Sequence, residues 1–146
     1  MDQDTAVRLT VYQHFAATGT APTPAAVADR LFLPPGAVRE SYRNLRASRT
    51  LVLENDGETI RMAPPFSGVP TQHRVESDGV VYFANCPWDA LGIPAALHRP
   101  AVIHSRCEQS GAPLDLEVGE AGPPPSSWIF HSLVPAARWW DDITFT

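Results

Sequence analysis

Leu51-Val52-Leu53-Glu54-Asn55-Asp56-Gly57-Glu58-Thr59-Ile60-Arg61-Met62 reads as two short apolar strands flanking an Asp-Gly turn. Glycine enters positive φ without a Cβ clash, so Asp-Gly between apolar runs is a hairpin signal with a mechanism. What precedes the hairpin decides its meaning. Residues 4–17 carry Val7, Leu9, Val11, Tyr12 and Phe15, which predicts one apolar helical face, stopped by Gly19 and Pro22. Thr23-Pro24 supplies an N-cap hydroxyl and a proline at the first helical position, opening a helix to Leu31 that buries Val27 and Leu31. After the turn Phe32-Leu33-Pro34, a third helix over 35–48 places Val38, Tyr42 and Leu45 on one stripe. Three helices followed by a hairpin is the layout of a winged helix, assigned here to residues 1–66.

Downstream, Ala63-Pro64-Pro65-Phe66-Ser67-Gly68-Val69-Pro70 reads as a linker. The rest, residues 67–146, is predicted as a small β-rich core. Strands are expected over His73–Glu76, Gly79–Ala84, Ala101–Ser105, Leu114–Val118 and Trp128–Leu133, with one inserted helix over Pro87–Leu97. Gly119–Ser127 reads as a loop and Pro135–Trp140 as a short helix or turn. The predicted fold class is therefore α+β, a winged-helix-like unit packed on a β-rich core.

The chain has 146 residues, 44% hydrophobic, enough for one compact core. No apolar stretch approaches a membrane span, and Met1-Asp2-Gln3-Asp4 is acidic where a secretory signal is basic. The expectation is a cytoplasmic protein that does not engage a membrane, with Cys86 and Cys107 reduced. A net charge of −5 argues against a whole-surface footprint for nucleic acid. All basic residues are arginines, and Arg39, Arg43 and Arg46 share the polar side of the third helix, with Arg49 just beyond. A DNA-binding winged helix would send such residues to phosphates and guanine edges; a solvated charged face is the plainer reading, and DNA is not the favoured partner.

Cys86-Pro87-Trp88-Asp89 carries the chemistry. Pro87 suits the first helical position and makes Cys86 or Asn85 the cap, so free N–H groups and the helix dipole should favour a Cys86 thiolate. Asp89 then falls in the same first turn. A thiolate binds soft metals, and a neighbouring carboxyl can carry a proton. The plainer reading gives a dipole-stabilising Asp and a small apolar Cys. Cys107 reads as a buried structural cysteine. His104 and His131 read as histidines satisfied by hydrogen bonds, and no spacing resembles a zinc site. Trp88, Trp139 and Trp140 read as core-packing residues, with a small-molecule pocket as their alternative use.

Three blocks in order resemble the organomercurial (alkylmercury) lyase family: Tyr82-Phe83-Ala84-Asn85-Cys86-Pro87-Trp88-Asp89-Ala90-Leu91-Gly92-Ile93, then Cys107-Glu108-Gln109-Ser110-Gly111-Ala112-Pro113-Leu114, then Val134-Pro135-Ala136-Ala137-Arg138-Trp139-Trp140-Asp141-Asp142-Ile143. The helical first half resembles that family's N-terminal region more loosely. The resemblance implies protonolysis of carbon–mercury bonds, with Cys86 as the first cysteine, Asp89 as the proton-handling acid and both as metal ligands, and Cys107 as a structural cysteine. It implies no required cofactor; Hg(II) or another soft metal enters as substrate or product ligand. It also implies a second catalytic cysteine on a strand beyond the Trp-Trp-Asp-Asp block. This sequence ends at Phe145-Thr146, so either a fragment or a short divergent member that has lost a sulfur ligand and part of its fold is expected, with cleavage impaired in the latter. The alternatives are a metal- or ligand-sensing winged-helix regulator, or a lyase-like scaffold acting on another small molecule.

Overall fold

A computed structural model describes residues 1–145. Three helices open the chain: α1 Gln3–Thr18, α2 Pro24–Leu31 and α3 Pro35–Ala47. Asp2 caps α1 by accepting from the Thr5 N–H at 2.9 Å, and Thr23 caps α2 by accepting from the Ala26 N–H at 3.1 Å. On α1 the buried stripe is Val7, Thr10, Val11 and Phe15, spaced as a 3.6-residue helix requires. Leu9 falls off that stripe and is 42% exposed. Thr10 takes the expected apolar position instead, its hydroxyl donating to the Ala6 carbonyl at 2.9 Å.

The hairpin forms from β1 Val52–Leu53 and β2 Ile60–Ala63, with Leu53 opposite Ile60. Its turn is held by Asp56, whose carboxylate accepts from the Glu58 and Thr59 N–H groups, and by Gly57 at φ 70°. Next comes β3, Phe66–Ser67, inside the stretch expected to be a linker. β3 pairs with β2 and also with β5, through Ser67 opposite Phe83. The remaining strands are β4 His73–Ser77, β5 Val80–Ala84, β6 Ala101–Arg106 and β7 Pro113–Val118, with α4 Pro87–Leu97 between β5 and β6. One antiparallel sheet of seven strands results, in the order β1-β2-β3-β5-β4-β6-β7. The architecture is α+β.

Burial alternates along the strands. His73, Val75 and Ser77 of β4, Tyr82 and Ala84 of β5, and Ala101, Ile103 and Ser105 of β6 are buried, with more exposed residues between them. On α4, Ala90, Ile93 and Pro94 are buried, and this helix packs on β4, β5 and β6. The first half locks on through Phe66, stacked on Phe15 at 5.3 Å and packed on Tyr82 at 5.6 Å. The Tyr82 hydroxyl donates to the Ala16 carbonyl at 2.7 Å.

The segment Trp128–Leu133 is not a strand. Its apolar residues are largely in solvent, Ile129 at 88% and Leu133 at 81%. Among the described residues no strand extends the sheet beyond β7, so this run has no ladder to join. The last element is a 3₁₀ turn, Ala136–Asp141.

Candidate active site

Strand β5 ends at Ala84 and α4 begins at Pro87, so Cys86 is the helix N-cap, with extended backbone at φ −145° and ψ 171°. Pro87 has no N–H to lose at the first helical position. Asp89 follows within the first turn. The sequence-predicted pair is thus brought together: the Asp89 carboxyl lies close enough to the Cys86 thiol for each to shift the other's proton affinity, and both residues are half-buried.

Burial sets the proton affinities. Desolvation raises the Asp89 carboxyl from 3.8 to about 6, opposed by its hydrogen bond to the thiol. Cys86 is also raised, by burial first and then by the Asp89 charge. The N–H groups of Trp88 and Asp89 do pull the other way, as the helix start predicts, without meeting the geometry of a full capping bond. They are outweighed. The shift expected from the helix start is thus reversed in sign, because an anion at this position would be desolvated and would face a second anion.

Both cysteines are free. Cys107 closes β6 and begins the turn to β7, where Gly111 N–H donates to its carbonyl at 2.8 Å. It is not the deeply buried cysteine expected. The Ser110 hydroxyl and the N–H groups of Ser110 and Gln109 lower its thiol pKa. In the sheet, β4 lies between β5 and β6. The strands that precede Cys86 and Cys107 are therefore not neighbours, with β4 between them.

Sequence reasoning missed His73. It is buried, with Nδ1 2.7 Å from the Ser105 hydroxyl and Nε2 3.5 Å from the Glu108 carboxylate. Desolvation lowers its pKa and Glu108 opposes that. Only the pairing of β4 with β6 brings these residues together. His104 is satisfied as expected, 2.7 Å from Asp115 and 3.5 Å from Glu76 across the sheet. Among the described residues no group of three or more His, Cys, Asp or Glu is arranged to hold a metal ion. On α3, Arg39 turns to the hairpin and pairs with Glu58 at 2.6 Å, so it is not presented outward as the helical stripe implies.

The three tryptophans expected in the core are at its margin. Trp88, between Cys86 and Asp89 in sequence, is 53% exposed, while Trp139 and Trp140 are half-buried. Trp88 meets Phe130 at 5.6 Å, and Phe130 meets Trp139 at 6.4 Å. Asn85, beside Cys86, donates to the Ile143 carbonyl at 3.1 Å. The C-terminal segment thus runs past the start of α4 and is attached on both sides of the thiol. Among the described residues no helix is long and apolar enough to cross a membrane.

Comparison with known proteins bears on the family and the fold. An alkylmercury lyase from Streptomyces lividans is 43% identical over 49 residues, covering 34% of this chain and 23% of that one. The crystal structure of the mercury-bound form of MerB2 shares the fold, with a TM-score of 0.68 and 23% identity over 87% of this chain and 61% of that one. The chain thus spans less than two thirds of the length of either relative. The family model for alkylmercury lyase matches residues 66–146, more than half the sequence, and the chain therefore belongs to the alkylmercury lyase family.

Proposed function

We propose that the protein captures organomercurials at Cys86 and cleaves their carbon–mercury bond with a proton carried by Asp89. The observation that supports this reading is the placement of a half-buried thiol at the N-cap of α4 beside a first-turn carboxyl that burial raises to about 6. A carboxyl near 6 can accept and return a proton around neutral pH, which an ordinary surface aspartate does poorly.

The steps balance with one proton. The Cys86 sulfur attacks the mercury of R–Hg–X, and its proton passes to Asp89 as X⁻ leaves. The soft sulfur donates into mercury and increases the carbanion character of R. Asp89 then gives that proton to the carbon, releasing RH. Hg(II) stays on the Cys86 sulfur, and the Asp89 carboxylate, charged again, becomes its second ligand. Burial favours each neutral intermediate over separated charges.

The test is release of benzene from phenylmercuric acetate by the intact chain. Cys86→Ser and Asp89→Ala should each abolish release, while Asp89→Ala should still bind the mercurial. Wild-type protein that binds phenylmercury stoichiometrically yet never releases benzene overturns the proposal.

A further inference from the structure

Residues three apart on a helix are neighbours along one flank, so Gly92 lies one turn beyond Asp89 on α4. At Gly92 the helix touches the first half of the chain. A Cβ added there would lie 3.0 Å from the Pro65 Cβ and 3.6 Å from its Cγ. Pro65 arrives by a defined path. Ser67 of β3 is opposite Phe83 of β5, and the two strands are antiparallel. The chain from Ser67 back to Pro65 therefore follows the end of β5 towards Asn85, the residue before Cys86. The proline pair is braced by α1: the Tyr12 hydroxyl donates to the Pro64 carbonyl at 3.0 Å, and the Tyr12 ring meets Phe66 edge-on at 6.3 Å.

The two members of the reactive pair belong to different parts of the backbone. Cys86 is extended, at φ −145° and ψ 171°, and continues from β5, whereas Asp89 belongs to the helix. A tilt of α4 therefore moves the carboxyl relative to the sulfur. Ala90, Ile93 and Pro94, buried on the side packed against the sheet, set the helix in one direction. The contact of Gly92 with Pro65 sets it in another, one turn from Asp89. Glycine permits this approach, and the rigid proline ring makes a firm stop.

Building on the proposed cleavage, we infer that Pro65 is a positioning residue: seated on Gly92 and braced through Tyr12, it fixes the tilt of α4 and so the place of Asp89 beside Cys86. The helical first half is then part of the reactive centre through this contact. A methyl group at Gly92 must push the two apart by a few tenths of an ångström. A displacement of that size should slow proton delivery about tenfold, while capture needs the sulfur alone.

The experiment follows a single turnover of phenylmercuric acetate by the full chain. Peptide mass spectrometry reads capture at Cys86, and gas chromatography reads benzene. Gly92→Ala should fold, because alanine is the better helix former, and should capture at the wild-type rate while releasing benzene about tenfold more slowly. Pro65→Gly opens the contact and should also slow release. The double variant moves the methyl from one side of the contact to the other and should restore most of the release, whereas independent effects would multiply to about a hundredfold loss. Tyr12→Phe keeps the ring on Phe66, removes the hydroxyl alone, and should slow release without slowing capture. Wild-type release in Gly92→Ala, equal slowing of capture and release, or a double variant no faster than the product of the single losses overturns the inference alone. A wild-type chain that releases no benzene overturns the proposed function and the inference with it.

Discussion

Replacing Asp89 by Asn should stabilise the protein at neutral pH while removing its function, and the gain can be worked from the site. The carboxyl moves from 3.8 in the unfolded chain to about 6 in the fold, chiefly through desolvation. At about 1.4 kcal/mol per pH unit, the ionised form is disfavoured by about 3 kcal/mol in the native state. Below pH 3.8 the group is protonated in both states and contributes nothing. As pH rises to about 6, the unfolded chain ionises while the native site keeps its proton, so native stability falls; above that the loss is complete. Asparagine never ionises and escapes this loss. It forgoes a favourable first-turn anion, about 0.3–1 kcal/mol, leaving a net gain of about 2 kcal/mol at pH 7.5 and none at pH 3.5. With a urea slope of about 2 kcal/mol/M, the midpoint of Asp89→Asn should lie about 1 M above wild type at pH 7.5. Equal midpoints at both pH values, or a less stable variant at pH 7.5, would refute the reasoning.

Other outcomes follow from the same geometry. Iodoacetamide at pH 7.5 should label Cys107 about tenfold faster than Cys86, because hydrogen bonds lower one thiol while burial and Asp89 raise the other; peptide mass spectrometry reads both rates. Asp89→Asn should speed labelling of Cys86 and leave Cys107 unchanged. Phe66→Ala removes the ring between Phe15 and Tyr82 and should cost about 3–5 kcal/mol in chemical denaturation. Gly19→Ala should cost about 3 kcal/mol: the residue sits at φ 73°, and a Cβ would lie 1.9 Å from the Val81 carbonyl oxygen, so α1 would have to lift from β5.

Much of this fold is legible in the sequence because its signals are local. The boundaries of α4, Pro87–Leu97, follow from a proline at the first helical position and an apolar run behind it. The hairpin follows from Asp56-Gly57 between apolar residues. Strand β3 escapes because two residues between a proline pair and a glycine carry no periodicity; only pairing with β2 and β5 makes them a strand. Trp128–Leu133 misleads for the opposite reason, an apolar run without a neighbour to bond. At the site, the contact of Cys86 with Asp89 is readable from helix spacing, but the sign of the thiol's shift is not. Dipole and N–H groups are local, whereas burial belongs to the packed molecule and decides the balance. His73 and Ser105 lie 32 residues apart and meet only through strand pairing.

The single register pair Ser67–Phe83 has a practical outcome for anyone dissecting this chain. Expressing the portion from residue 68 onward would strip β5 of its β3 neighbour and leave a raw rim of amide and carbonyl groups along it. Tyr82 would at the same time lose its ring and hydroxyl partners in the missing half. Such a fragment should self-associate through that rim rather than behave as an independent monomer.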